Sequence, residues 1–106
     1  MTISSPTIFS KRLKAARKAK GLTQQKLGVL AGMEELSASA RMNHYEQGKH
    51  WPHYSVVEKI AEALKLPAAY FYCKEDDEAE LLSLYHQLDK GEKFVTLTTL
   101  KENATL

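Results

Sequence analysis

The sequence holds one cysteine, Cys73, in 106 residues. A lone cysteine excludes an internal disulfide and a thiolate metal cluster, and Phe71 and Tyr72 beside it point to a thiol packed against apolar groups rather than a reactive one. Long apolar runs are missing as well. Met1 to Ser10 holds none long enough for a signal peptide, and the longest in the chain, Leu66 to Cys73, falls far short of a bilayer span. No membrane partner is expected, and the cytoplasm is the expected compartment. Strand-like alternation, internal repeats, low-complexity tracts, glycine-rich phosphate loops and nucleophile motifs do not occur.

Histidine is sparse: His44, His50, His53 and His86. His50 and His53 are near each other, but Pro52 lies between them and no carboxylate is regularly spaced with them. A metal hydrolase is therefore not expected, nor any metal, cofactor or catalytic residue. Trp51, beside these histidines, is expected to pack on the helices.

What is present is uneven charge and regular helical spacing. The formal net charge is only +2, yet through His50 nine cations (Lys11, Arg12, Lys14, Arg17, Lys18, Lys20, Lys26, Arg41, Lys49) face three anions (Glu34, Glu35, Glu46), a surplus of six. From Trp51 onward six cations face ten anions, a deficit of four. A basic half concentrates positive potential where a polyanion can dock, and the acidic half does not share that role. A hydrophobic fraction of 43% is enough for the core of one domain with a short appendage.

Ser5-Pro6 offers an N-cap followed by proline at a first helical position, and Phe9, Leu13 and Ala16 recur at helical spacing up to Gly21. Thr23 caps a second helix with Leu27, Leu30 and Ala31 facing inward and Gly32 as its stop, although Lys26 takes the place of a capping-box acid. Gly28 costs roughly 0.5 to 1 kcal/mol relative to alanine inside a helix, so the backbone of a third helix is expected to cross there. Met33 to Leu36 reads as an extended connection, after which Ser37 or Ser39 caps that third helix, which runs to Gln47 and stops at Gly48.

Pro52 marks the next turn, and a fourth helix, about Ser55 to Leu66, buries Val56, Val57, Ile60, Ala61 and Leu64. Pro67 opens a short helical turn that sets Tyr70 and Phe71 on the bundle. The acidic run Glu75-Asp76-Asp77-Glu78 suits a helix start. Leu81, Leu82, Leu84, Tyr85 and Leu88 then form an amphipathic helix, broken at Asp89-Lys90-Gly91 and followed by a weaker one with Phe94, Val95, Leu97 and Leu100. The expected fold is all-α, a compact four- to five-helix domain over residues 1–73 with a C-terminal helical extension over residues 74–106 for dimerisation or partner binding.

On a wheel of the third helix Ala38, Met42 and Tyr45 share one stripe, Ala40, Asn43, His44 and Gln47 lie opposite, and Ser39 and Arg41 flank them. Asparagine pairs with adenine through two bonds, and histidine donates to guanine acceptors or to phosphate, so the polar face suits base edges. Glu46 falls nearer the core side, where a lone carboxylate needs a cation. Arg17, four residues after Leu13 on the packing edge of the first helix, meets that need.

Gly21-Leu22-Thr23-Gln24, Gly28, Tyr45-Glu46-Gln47-Gly48-Lys49, Pro52 and Ile60-Ala61-Glu62-Ala63-Leu64 together resemble the Cro and phage-repressor type helix-turn-helix family, the XRE regulators. The match runs over roughly Ser10 to Tyr72. It implies a lambda-repressor-like fold that reads double-stranded DNA with the third helix in the major groove. Ser39, Ala40, Asn43 and His44, with Arg41 on the flank, would read bases; Gln24, Gln47 and Lys49 would hold phosphates; Arg17 and Glu46 would form a buried structural pair. The chain departs from the pattern between Gly32 and Arg41, where it is longer by about four residues than the usual tight turn.

The expected function is transcriptional regulation, as a repressor because nothing resembles a segment for contacting polymerase, and as a homodimer on a palindromic operator. An antitoxin that binds DNA and holds a protein toxin on its C-terminal extension is the alternative, because one fold serves several functions.

Overall fold

The computed structural model describes residues 7–104, and three of its helices begin at a polar residue whose side chain accepts a backbone hydrogen bond. The elements are α1 (Ile8–Ala19), α2 (Gln24–Leu30), α3 (Glu35–Glu46), α4 (Tyr54–Leu64), a 3-10 turn (Ala68–Tyr72), α5 (Asp76–Gln87) and α6 (Lys90–Asn103). No strand occurs among the described residues, and no helix there is long and apolar enough to cross a membrane.

α1 starts at Thr7, whose hydroxyl accepts from the Ser10 amide at 3.1 Å in a reciprocal capping box. The expected cap at Ser5-Pro6 lies outside the described residues. Thr23 caps α2 as expected, accepting from the Lys26 amide at 3.0 Å. α1 to α4 and the 3-10 turn close around one core. Leu13, Leu27, Ala38, Met42, Val57, Ile60, Leu64 and Phe71 are fully buried, and the Phe71 ring lies 5.6 Å from that of Phe9. Burying such side chains contributes about 1.5 to 3 kcal/mol each.

α2 and α3 make the closest crossing, and Gly28 permits it. A Cβ built on Gly28 would stand 2.7 Å from the Ala38 Cβ and 3.1 Å from the Ala38 Cα and carbonyl oxygen. Backbone atoms cannot step aside for a methyl group, so glycine is required where the two helices touch.

Several sequence expectations are corrected. α3 begins at Glu35, not at Ser37 or Ser39, and Leu36, read as part of an extended connection, is its second residue. The link from α2 to α3 is therefore a tight turn rather than a lengthened one, and the extra residues form the first turn of α3. Glu34 takes the N-cap with no side-chain hydrogen bond, while Glu34 and Glu35 bring negative charge to the positive end of the helix. Leu30, expected inside, is half exposed, because Leu27 and Ala31 already fill the inward stripe of α2. α4 ends at Leu64 rather than Leu66: Lys65 caps it in the left-handed conformation (φ 57°). Trp51 is exposed instead of packed.

The C-terminal extension is tied to the bundle at both ends of α5. Arg12 of α1 donates from Nε to the Cys73 carbonyl at 3.0 Å and from Nη1 to Asp76 Oδ1 at 2.9 Å, Gln87 donates to the Lys65 carbonyl at 2.7 Å, and Ala79 is buried. Asp89 then starts α6 with a capping box of its own, exchanging bonds of 2.8 and 3.0 Å with Glu92. α6 buries none of its residues.

Gly28→Ala is expected to destabilise the protein by about 1 to 3 kcal/mol despite alanine's better helix propensity, since overpacking outweighs it. A denaturant melt measures this, and a neutral or stabilising result would show that the two helices do not approach as closely as described.

Candidate nucleic-acid interface

The outward face of α3 depends on a buried polar cluster beneath it. Arg17 reaches from α1 to Glu46 on α3 through a two-pronged contact, Nε to Oε2 at 2.6 Å and Nη2 to Oε1 at 3.0 Å. Its remaining nitrogen, Nη1, donates to the Leu22 carbonyl at 2.8 Å. The two side chains are 11% and 1% exposed. Hydrogen bonding to Glu46 raises the guanidinium pKa above its ordinary value, opposing the desolvation that would lower it. Arginine suits the position because its planar fork matches a carboxylate and it stays charged.

Gln24 extends the cluster to the surface. Its amide nitrogen donates to Glu46 Oε1 and to Asn43 Oδ1, each at 3.1 Å. Both amide hydrogens are thus committed, which orients Asn43 with its own NH₂ free to donate outward. Gln24 thereby braces α2 against α3. No buried side-chain nitrogen or oxygen among the described residues lacks a partner.

The other sequence-derived residues distribute around this centre. Ser39 and Ala40 are exposed. Arg41 lies on a flank and donates to the Tyr45 hydroxyl at 3.3 Å, along its own helix. The His44 ring stacks on that of His50 with centroids 5.0 Å apart, so His44 borders the loop after α3 rather than standing at the middle of the face. Gln47 caps the end of α3 and is exposed, and Gly48 turns the chain in the left-handed region (φ 74°). The Gly48 and Lys49 amides fold back on the Tyr45 and His44 carbonyls at 3.2 and 2.9 Å, leaving the Lys49 side chain exposed. A group of three or more histidine, cysteine, aspartate or glutamate side chains able to hold a metal does not occur among the described residues.

One exposed residue on this face was missed. Leu36 is wholly exposed (101%) and shares the outer stripe of α3 with Ala40, Asn43 and Gln47. Reading Met33 to Leu36 as a loop hid it. The adjacent acids Glu34 and Glu35 were the available signal, since acids collect at helix starts.

A model of the helix-turn-helix domain family matches residues 8–70. The chain belongs to that family. The match spans α1 to the 3-10 turn, the part of this helix-turn-helix protein that contains both the Arg17 cluster and the outer face of α3. Among solved structures it is similar to the transcriptional regulator BswR, with 43% identity, a TM-score of 0.80, and coverage of 88% of this chain and 92% of the other. No curated protein sequence matches.

Removing one member of the Arg17–Glu46 pair strands the other in the core. Arg17→Ala and Glu46→Ala are each expected to cost about 3 to 5 kcal/mol in denaturant melts. Losses below about 1 kcal/mol for both would mark the pair as an exposed one.

Proposed function

We propose that the protein is a cytoplasmic transcriptional regulator, a repressor, that binds double-stranded DNA sequence-specifically by laying α3 in the major groove. It acts as a homodimer on a palindromic operator. The observation that carries this reading is the outward face of α3, where Asn43 is held by Gln24 with donors free for base edges and is bordered by Ser39, Ala40, Gln47 and His44. Ser39, Ala40, Asn43 and His44, with Arg41 on the flank, read bases; Gln47 and Lys49 grip phosphates, and Gln24 positions Asn43. The basic surplus of the first half supplies the sequence-independent attraction. The 43% identity to a transcriptional regulator over most of both chains supports the regulatory role.

The dimer reading rests on α6. Phe94, Val95, Leu97 and Leu100 are 72%, 63%, 43% and 48% exposed, and a helix of 14 residues with nothing buried is marginal alone in water. A second copy covers those side chains and doubles the DNA contacts. A protein toxin seated on the same helices is the alternative occupant.

Selection from random duplexes is expected to return a palindrome, bound with a salt slope of roughly −0.9 per neutralised phosphate. On the selected site, Asn43→Ala should lose about 1 to 3 kcal/mol while nonspecific affinity hardly changes. Lys49→Ala should weaken all sequences alike and make the salt slope shallower by about one. Affinity indifferent to salt would remove the DNA reading.

Sedimentation equilibrium tests the assembly. The purified chain is expected to be dimeric, and Phe94→Glu with Leu97→Glu to make it monomeric with weaker operator binding. A stoichiometric small protein recovered with the native chain would instead favour the antitoxin reading.

A further inference from the structure

Leu36 has no part in folding. It is wholly exposed, while Ala38, Met42 and Tyr45 on the opposite stripe carry the packing of α3. Position 36 lies one helical turn before Ala40 and two before Asn43, and at about 100° per residue Leu36, Ala40, Asn43 and Gln47 fall within about 60° of one another. A leucine with no contact in its own molecule, in line with an asparagine whose donors face outward, lies on the surface already assigned to DNA.

The surroundings indicate which part of DNA it meets. Glu34 and Glu35 precede it, both exposed, and two carboxylates keep phosphates away from this end of the helix. The start of α3 therefore sits over base edges near the middle of the major groove, where recognition helices place their first residues. The apolar group presented there is the C5 methyl of thymine. Gln25 fixes the local backbone by donating to the Glu35 carbonyl at 2.8 Å, so the Leu36 side chain starts from a held position.

We infer that Leu36 is a specificity-determining residue that reads a thymine methyl group in each half-site, with Ala40 completing the apolar contact. This rests on the DNA reading proposed above. Asn43 and Leu36 then divide the work: the amide senses hydrogen-bonding groups, and the leucine senses a methyl group that no polar side chain recognises. Burying one methyl against the leucine corresponds to about a fourfold gain in affinity, from about 0.8 kcal/mol per buried carbon.

The test removes the methyl and nothing else. In the duplex selected by the full-length protein, each thymine of a half-site is replaced in turn by deoxyuridine, and affinity is read by fluorescence anisotropy. One position is expected to weaken the unmodified protein about fourfold. Leu36→Ala is expected to bind the thymine and deoxyuridine duplexes equally while keeping its melting temperature, because no packing is lost. Leu36→Gln is expected to lose the same discrimination. Equal binding of both duplexes by the unmodified protein at every position overturns the inference, as does discrimination that survives in Leu36→Ala. In either case a retained salt slope and a retained loss for Asn43→Ala leave the DNA reading standing, whereas a flat salt response removes both.

Discussion

The buried ion pair between Arg17 and Glu46 is the constraint on which the rest of the domain is arranged. A charge in a core is tolerated only when its partner and its remaining hydrogen-bonding capacity are met, and here three helices contribute. α1 supplies the guanidinium, α3 the carboxylate, and α2 a glutamine, with the Leu22 carbonyl from the turn before α2. Moving any of these helices independently would leave a buried polar group without its bond. An apolar cluster of equal volume could match the stability, but it would set orientation less sharply, because hydrophobic contacts are not directional. The pair thus fixes the angle at which α3 leaves the bundle.

That restriction passes outward through Gln24. Its amide joins the buried carboxylate to Asn43 on the surface, so the rotamer of a surface residue is set by a group in the core. Side chains held in this way lose less rotational freedom on binding. The Gly28–Ala38 approach works from the other side of the same crossing, since it sets how close α2 and α3 lie. One contact governs angle, the other distance.

Much of this was legible in the sequence because it follows from spacing. The inward stripe Ala38, Met42 and Tyr45, the crossing at Gly28 and the meeting of Arg17 with Glu46 all follow from helical periodicity and from the need to neutralise a buried charge. The start of α3 was not legible, because Ser37 and Ser39 are favourable caps that the fold does not use. The turn after Gly32 is tight, and Glu34 begins the helix through backbone geometry and charge without a side-chain bond. That shift of one helical turn concealed Leu36. Leu30 and Trp51 were misplaced for a related reason: an apolar side chain at a suitable spacing goes inside only where the core still has room, and volume is not written in a single segment.

The junction at Asp89 starts α6 with bonds of its own. Its reciprocal bonds with Glu92 satisfy the first amide groups of α6 from within the chain, so the costly first turn is nucleated locally. A segment that folded only on contact would have to lose its backbone freedom at the moment of association, and its complex would be weaker for the same contact area. The capping box of α6 lowers that cost without removing it, since no residue of the helix is buried. Its apolar side chains are offered on a helix whose first turn is already capped, so in the proposed dimer less backbone order would be left to form on association.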